Sequence, residues 1–183
     1  MRAIVPLLAA FTLSNDRPPV AGLSAPQWGA ITPVRCGNAL GTAFHIGGGR
    51  YITASHVASW GACAFDGIPA ATVLNDKSHD VAELAGPTIT ATLKVNCSGF
   101  RRNRHYLAVG FVSLIGRLNL PLIYSGFGRD PDNGHGMFVG PDAHPGMSGG
   151  PLLDEDYRVS GVVVQRWPSR ARALADTHVC REA

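Results

Sequence analysis

A serine set among glycines is the first feature of the sequence that could do chemistry. Residues 143–164 read AHPGMSGGPLLDEDYRVSGVVV, so Ser148 stands between Gly146 and Gly149 in a turn that leads into an apolar stretch. A serine hydroxyl attacks a carbonyl only when a base is in reach and donors await the oxyanion that forms. Because glycines leave room for a close approach, the amides of Gly146 and Ser148 could both point at such an oxyanion.

The other groups that such a serine needs are present elsewhere in the chain. YITASHVAS places His56 at the end of an apolar stretch, and HDVAEL places Asp80 at the start of another. We expect His56 to be the general base and Asp80 to be the carboxylate that orients it. Asp66 and Asp76 are alternatives for that carboxylate, but both lie in turn-like sequence, which favours exposure to water.

The elements that must position these residues are expected to be short strands. The chain of 183 residues has 22 Gly and 13 Pro, 16% charged and 45% hydrophobic residues, a balance that favours strands and turns around a buried core. From about Trp28 onward, short apolar stretches recur between turn signals, and GGG at 47–49 signals a hairpin. We predict an all-β sandwich or barrel, with a single short helix in the tail SRARALADTHVCREA.

Residues 1–27 have the outline of a leader followed by a linker. One arginine precedes a mostly apolar run over residues 3–12, and a polar, Pro-rich segment follows. This outline is that of a secretory signal peptide, although Pro6 interrupts the apolar run. No apolar run reaches the length of about 18 residues that a membrane span needs. We therefore expect an exported protein, secreted or periplasmic, without stable membrane insertion; a cytoplasmic or virion-associated protein is the alternative.

The charge of the chain argues against nucleic acid as a partner. The formal net charge of +3 is spread along the sequence, and the one basic cluster, RRNRH at 101–105, is typical of a solvated loop. The seven histidines show no metal-like spacing with one another or with the cysteines. We expect neither a bound metal nor a cofactor, since nucleophilic catalysis by serine needs none.

The blocks around the three candidate residues resemble a known family. GTAFHIGGGRYITASHV, HDVAEL and PGMSGGPLLDEDYRVSGVVV are similar, in this order, to the signature blocks of the trypsin-like, chymotrypsin-fold serine peptidases, above all of the bacterial and viral branches. The resemblance implies two antiparallel β-barrels within residues 28–183, with the active site between them. The first barrel would cover about 28–95 and the second about 96–183.

The same resemblance implies a function and a role for each residue. The chain would be a serine endopeptidase, acting as a monomer on polypeptides, with Ser148 as nucleophile, His56 as base and Asp80 as its orienting partner. The amides of Gly146 and Ser148 would form the oxyanion hole. Two alternatives remain: a protease-fold binding or virion protein that has lost turnover, and an esterase of the same fold.

Other positions near the serine concern activation and substrate choice. Met147 stands where digestive members of the family carry an Asp that pairs with a new N-terminus, so we expect the oxyanion loop to be held by its own packing. Asp142, six residues before Ser148, stands where trypsin-like members carry a pocket carboxylate that favours Arg or Lys. We expect His144 to line the cleft, and Arg166 could instead favour an acidic residue.

The four cysteines, Cys36, Cys63, Cys97 and Cys180, are widely separated and form no C-x-x-C pair. Taken alone they allow three pairings into two disulfides, or four free thiols in a cytosolic protein. The even number and the leader-like N-terminus favour disulfides and export. The resemblance implies a bond between Cys36 and Cys63, since relatives often have a disulfide flanking the catalytic histidine, here His56. Cys97 would then pair with Cys180.

Overall fold

The computed structural model of the chain describes residues 22–101, 104–114, 118–132, 135–139, 144–165 and 170–181. These residues form twelve β-strands, three short α-helices and one 3-10 turn. The expected all-β class is therefore confirmed. Within the described ranges, no helix has the length and apolar character needed to cross a bilayer.

Six strands form the first barrel, and one short helix connects two of them. They are β1 (Ile31–Cys36), β2 (Ala39–Gly47), β3 (Arg50–Thr53), α2 (Ser55–Ala58), β4 (Cys63–Phe65), β5 (Ile68–Asp76) and β6 (Val81–Ala85). The strands pair in the order β1-β2-β3-β6-β5-β4 and close where β4 returns to β1. The glycines at 47–49 all have positive φ and form the tight turn between β2 and β3, as expected from the sequence.

The second barrel is also closed by six antiparallel strands. They are β7 (His105–Leu114), β8 (Leu118–Asp132), β9 (His135–Val139), β10 (Pro151–Leu153), β11 (Val159–Gln165) and β12 (Arg170–Ala173). Their order is β10-β11-β12-β9-β8-β7, and β7 closes the barrel by pairing with β10. The two-barrel architecture implied by the resemblance is thus present.

Buried contacts begin before Trp28. From the sequence, we expected the folded part to begin near that residue. Helix α1 (Ala25–Gly29) starts with a capping box, in which the Ser24 hydroxyl accepts from Gln27 N and the Gln27 side chain accepts from Ser24 N. Leu23 and Trp28 are buried, at 3% and 2% exposed. Both belong to an apolar cluster with side chains from the two barrels, so this segment packs against the core.

A short C-terminal helix is present, as expected, but it covers only the end of the tail sequence. Helix α3 covers only His178–Arg181, and a 3-10 turn at Leu174–Asp176 precedes it. Arg170–Ala173 form β12 instead, because they pair with β11 and complete the second barrel. Tertiary pairing therefore overrides the helix propensity of the Arg- and Ala-rich segment.

Two disulfides join the four cysteines in the pairing that the resemblance implied. Cys36 bonds to Cys63, and Cys97 bonds to Cys180. Cys36 and Cys63 are register partners of β1 and β4, so their bond closes a chain segment that includes His56. The second bond attaches α3 to the segment before β7.

The first disulfide should contribute measurably to stability. Replacing both Cys36 and Cys63 with Ala should lower the free energy of unfolding by about 3 kcal/mol, because the bond closes a loop of 27 residues and restricts the unfolded chain. Denaturant titration of the wild type and the double variant measures this difference, with the Cys97–Cys180 bond intact in both. An unchanged free energy of unfolding would contradict the assignment.

Candidate active site

Helix α2 carries His56 out of the first barrel toward solvent. The His56 side chain is 44% exposed, whereas its neighbour Ser55 is buried. The hydroxyl of Ser55 donates to the side-chain oxygen of Asn75, and the Asn75 amide donates to the Ser59 hydroxyl at 3.1 Å. These bonds attach the helix to β5 and fix the position from which the imidazole projects.

Asp80 holds the imidazole of His56 in one orientation. It lies in the turn between β5 and β6 with φ of +54°, a left-handed conformation that Asp adopts more readily than most residues. Its Oδ1 accepts from the backbone N–H of His56 at 2.8 Å, and its Oδ2 lies 2.8 Å from His56 Nδ1. Because Nδ1 faces the carboxylate, Nε2 is the nitrogen left for a reacting group.

The two alternative carboxylates lie elsewhere. Asp66 is exposed in the turn between β4 and β5. Asp76 accepts from the Ser78 hydroxyl and lies against His79 Nδ1, each at 2.6 Å. Burial raises the pKa of Asp76, but the hydrogen bonds from Ser78 and His79 outweigh this effect and lower its pKa to about 2. Of the three candidates, Asp80 is therefore the one that contacts His56.

The loop of residues 144–150 is held by hydrogen bonds within it and to neighbouring strands, and by one buried side chain. Gly150 N donates to Met147 O at 2.9 Å, and Gly149 N donates to Val163 O of β11 at 2.8 Å. The Met147 side chain is fully buried in the second barrel. An apolar side chain thus anchors this loop, as its sequence leads one to expect.

Two glycines shape the loop around Ser148. Gly146 and Gly149 have φ of +97° and +88°, values that residues other than glycine rarely adopt. A Cβ at Gly149 would lie 2.2 Å from the carbonyl oxygen of Thr42, so only glycine fits there. No described residue accepts a hydrogen bond from the amide of Gly146 or of Ser148, so both amides remain available as donors.

His56 and Ser148 line the same cavity, which has a volume of about 280 Å³. The other residues of its wall are mostly apolar: Asn38, Ala39, Leu40, Val57 and Trp60. Among the hydrogen bonds of the described residues, none joins the Ser148 hydroxyl to the imidazole. Catalytic hydrogen bonds of this kind often tighten only in the complex with substrate.

Of the residues expected to determine substrate preference, the structure describes only His144. Asp142 and Arg166 lie outside the described residues. His144 is exposed, and its carbonyl accepts from Met147 N at 3.1 Å. A contact between the His144 side chain and substrate stays a prediction.

Arg172 is a residue of the site that the sequence did not reveal. It extends from β12 of the second barrel and is 5% exposed. Its Nε donates to His79 O at 3.1 Å and its Nη2 to Ser78 O at 3.2 Å. Burial lowers the pKa of Arg172, and nearby carboxylates, that of Asp80 among them, oppose this shift. Through Arg172, the second barrel therefore binds the turn that presents Asp80 to His56.

Comparisons with known proteins agree with the architecture of the chain. No family model matches the sequence, and no curated protein matches it. Among solved structures, the inactive form of the Rv3671c protease is similar with a TM-score of 0.65 and 23% identity, covering 79% of this chain and 83% of that one. The active form of this Mycobacterium tuberculosis protease gives a TM-score of 0.65 and 22% identity over 79% and 75%.

A third similar structure comes from another organism. The serine endoprotease from Yersinia pestis has a TM-score of 0.68 and 18% identity, covering 80% of this chain and 59% of that one. Together with the two closed barrels, these likenesses show that the chain has the chymotrypsin-like fold, as the resemblance of its sequence blocks implied.

Replacing Arg172 with Met should disturb both stability and the site. The variant leaves the carbonyls of Ser78 and His79 without their buried donor, so we expect the free energy of unfolding to fall by about 1–3 kcal/mol. We also expect the downfield proton resonance of the bond between His56 and Asp80 to broaden or disappear. The matched control is the exposed Arg158, whose replacement with Met should change neither value. A resonance unchanged in the Arg172 variant would contradict this role.

Proposed function

We propose that the protein is a serine endopeptidase that hydrolyses peptide bonds through Ser148, His56 and Asp80. The observation that carries the proposal is the pair of 2.8 Å hydrogen bonds between Asp80 and His56, beside a cavity that His56 shares with Ser148. The fold supports it, because the similar solved structures are described as proteases. The glycine-rich loop supports it too, because it leaves the two amides that an oxyanion requires.

Acylation would use all of these groups at once. Nε2 of His56 accepts the proton of the Ser148 hydroxyl while the serine oxygen attacks the carbonyl carbon of the peptide. The negative charge on the carbonyl oxygen is bound by the amides of Gly146 and Ser148. Asp80 keeps the imidazole in the correct tautomer and stabilises the imidazolium that forms.

The second half of the reaction releases both products. The carbon–nitrogen bond breaks as the imidazolium gives its proton to the leaving amine, and Ser148 remains esterified to the acyl group. Water then enters, His56 accepts one of its protons, and hydroxide attacks the ester carbonyl within the same oxyanion site. Return of the proton to Ser148 frees the acid and restores the enzyme.

The partner in this proposal is a polypeptide outside the reducing cytosol. The two disulfides support export, because such bonds persist in oxidising compartments and are rare in the cytosol. We infer that the protein acts after export, on peptide segments extended enough to enter the open cavity.

Three substitutions test the proposed catalytic unit. We expect Ser148→Ala and His56→Ala each to abolish hydrolysis of a peptide library while the fold is retained, because each removes a member of one unit. Asp80→Asn should lower kcat on the order of 10⁴-fold, the size of this effect in another serine triad. Fluorophosphonate labelling should modify the wild type at Ser148 and leave Ser148→Ala unmodified.

The contrary outcomes separate the alternative functions. A wild type that is neither labelled nor active would favour a protease-fold binding protein. A wild type that hydrolyses esters but no peptide would favour an esterase. Near-normal activity in Asp80→Asn would remove Asp80 from the unit.

The apolar wall of the cavity should favour large apolar side chains next to the scissile bond. Trp60 is 66% exposed and lines the cavity together with Leu40, so a substrate side chain can cover both. Trp60→Ala should lower kcat/KM for such peptides by about tenfold, as expected for loss of part of an apolar contact. The control Ile68→Ala removes another exposed apolar side chain, 53% exposed and outside this cavity wall. A library profile unchanged in Trp60→Ala would contradict the preference.

A further inference from the structure

We propose that Thr42 is the positioning residue of the oxyanion site, and that its hydroxyl holds the loop of residues 144–150 in its competent conformation from the opposite barrel. The inference rests on the proposed function, because it concerns the amide of Ser148, one of the two that would bind the oxyanion. It adds a residue that belongs neither to the catalytic unit nor to the loop.

The Thr42 hydroxyl is fully buried between the barrels. Thr42 lies on β2 of the first barrel and is 0% exposed. Its Oγ1 accepts from Phe111 N of β7 at 2.9 Å and donates to Gly146 O at 2.8 Å. A hydroxyl has one hydrogen to donate. Because the amide of Phe111 can only donate, that hydrogen is directed to the carbonyl of Gly146.

The backbone of Thr42 binds the same loop at a second point. Thr42 N donates to Ser148 O at 2.8 Å. Thr42 O accepts from the Thr53 hydroxyl at 2.8 Å, which attaches β2 to β3. Thr42 thus donates hydrogen bonds to the carbonyls on both sides of Met147, and a further hydrogen bond attaches Thr42 to the first barrel.

These bonds determine where the amide of Ser148 points. Each peptide group is planar, so a fixed carbonyl also fixes the N–H of the next residue. The carbonyls of Gly146 and Ser148 are bound by Thr42, and the carbonyl of Met147 between them accepts from Gly150 N at 2.9 Å. With three successive peptide groups bound, the N–H of Ser148 is held in one direction.

The hydroxyl is needed because neighbouring residues cannot replace it. Gly146 has φ of +97° and no side chain to restrict it, so only external bonds keep its carbonyl in place. Met147 is buried and apolar, and packing alone does not orient a carbonyl. Loss of the hydroxyl would leave Gly146 O without this donor, and reorientation of the Gly146 peptide would relieve that cost.

The test compares substitutions that separate the hydroxyl from the shape of the side chain. Thr42→Val keeps the shape and removes the hydroxyl, and Thr42→Ser keeps the hydroxyl. The matched control is Thr177→Val, which removes another fully buried hydroxyl, bonded to Leu174 O at 2.8 Å. The measurements are kcat and KM for a cleaved peptide, the rate of fluorophosphonate labelling, thermal stability, and amide hydrogen exchange over residues 144–150.

We expect Thr42→Val to lower kcat and the labelling rate by about ten- to a hundredfold with little change in KM, less than the loss of an oxyanion donor itself. Hydrogen exchange over residues 144–150 should become faster. Thr42→Ser should restore activity and slow exchange. Thr177→Val should lower thermal stability but leave both the kinetics and the exchange of this loop unchanged.

The contrary results are distinct. Activity and exchange in Thr42→Val equal to those in Thr177→Val would overturn the proposal, and so would a loss that Thr42→Ser does not restore. If Thr42→Val fails to fold, Thr42→Ala compared with Thr42→Ser asks the same question. A wild-type protein that shows neither hydrolysis nor labelling would contradict the proposed function. The hydrogen-exchange data would still decide whether Thr42 orders the loop.

Discussion

The contact between the two barrels is the constraint on which the site depends. His56 and Asp80 belong to the first barrel and Ser148 to the second, so no local structure can bring them together. Their relative position depends on bonds across the interface, above all Thr42 N to Ser148 O at 2.8 Å. Arg172 of the second barrel donates hydrogen bonds in the opposite direction, to the turn of the first barrel that carries Asp80.

The polar bonds at this interface are specific because an apolar core holds the barrels against each other. One buried cluster combines side chains of both barrels and of the N-terminal segment: Trp28, Ile31, Phe44, Ile52, Val109, Phe111, Leu153 and Val162 among others. Apolar burial provides most of the attraction but little direction. Buried hydrogen bonds provide direction, since a misplaced donor or acceptor loses its partner without gaining water.

The sequence predicted those features that depend on local patterns. The glycines around Ser148, the apolar stretches before His56 and after Asp80, and the short strands are all visible along the chain. The disulfide pairing followed from the resemblance, because four cysteines alone leave three pairings open. The choice of Asp80 over Asp76 rested on which turn leads into a buried strand, and the structure shows Asp76 bonded to its own turn.

The features that the sequence did not reveal depend on contacts between distant residues. Thr42 and Gly146 are 104 positions apart, and Arg172 and His79 are 93 apart. No spacing along the chain distinguishes Thr42 from an ordinary strand threonine. Arg172 is buried because it bonds to the turn of the first barrel, a contact that the Arg- and Ala-rich sequence around it does not reveal. The strand itself was missed because its residues favour helix when considered alone.

The most direct test of this account is a crystal structure of the protein after reaction with a small fluorophosphonate. The account predicts a covalent bond between phosphorus and the Ser148 oxygen, with one phosphoryl oxygen about 2.7–3.1 Å from the amide nitrogens of both Gly146 and Ser148. It also predicts that Thr42 still binds the carbonyls of Gly146 and Ser148 in that adduct. An adduct at another residue, or a phosphoryl oxygen directed away from both amides, would contradict it.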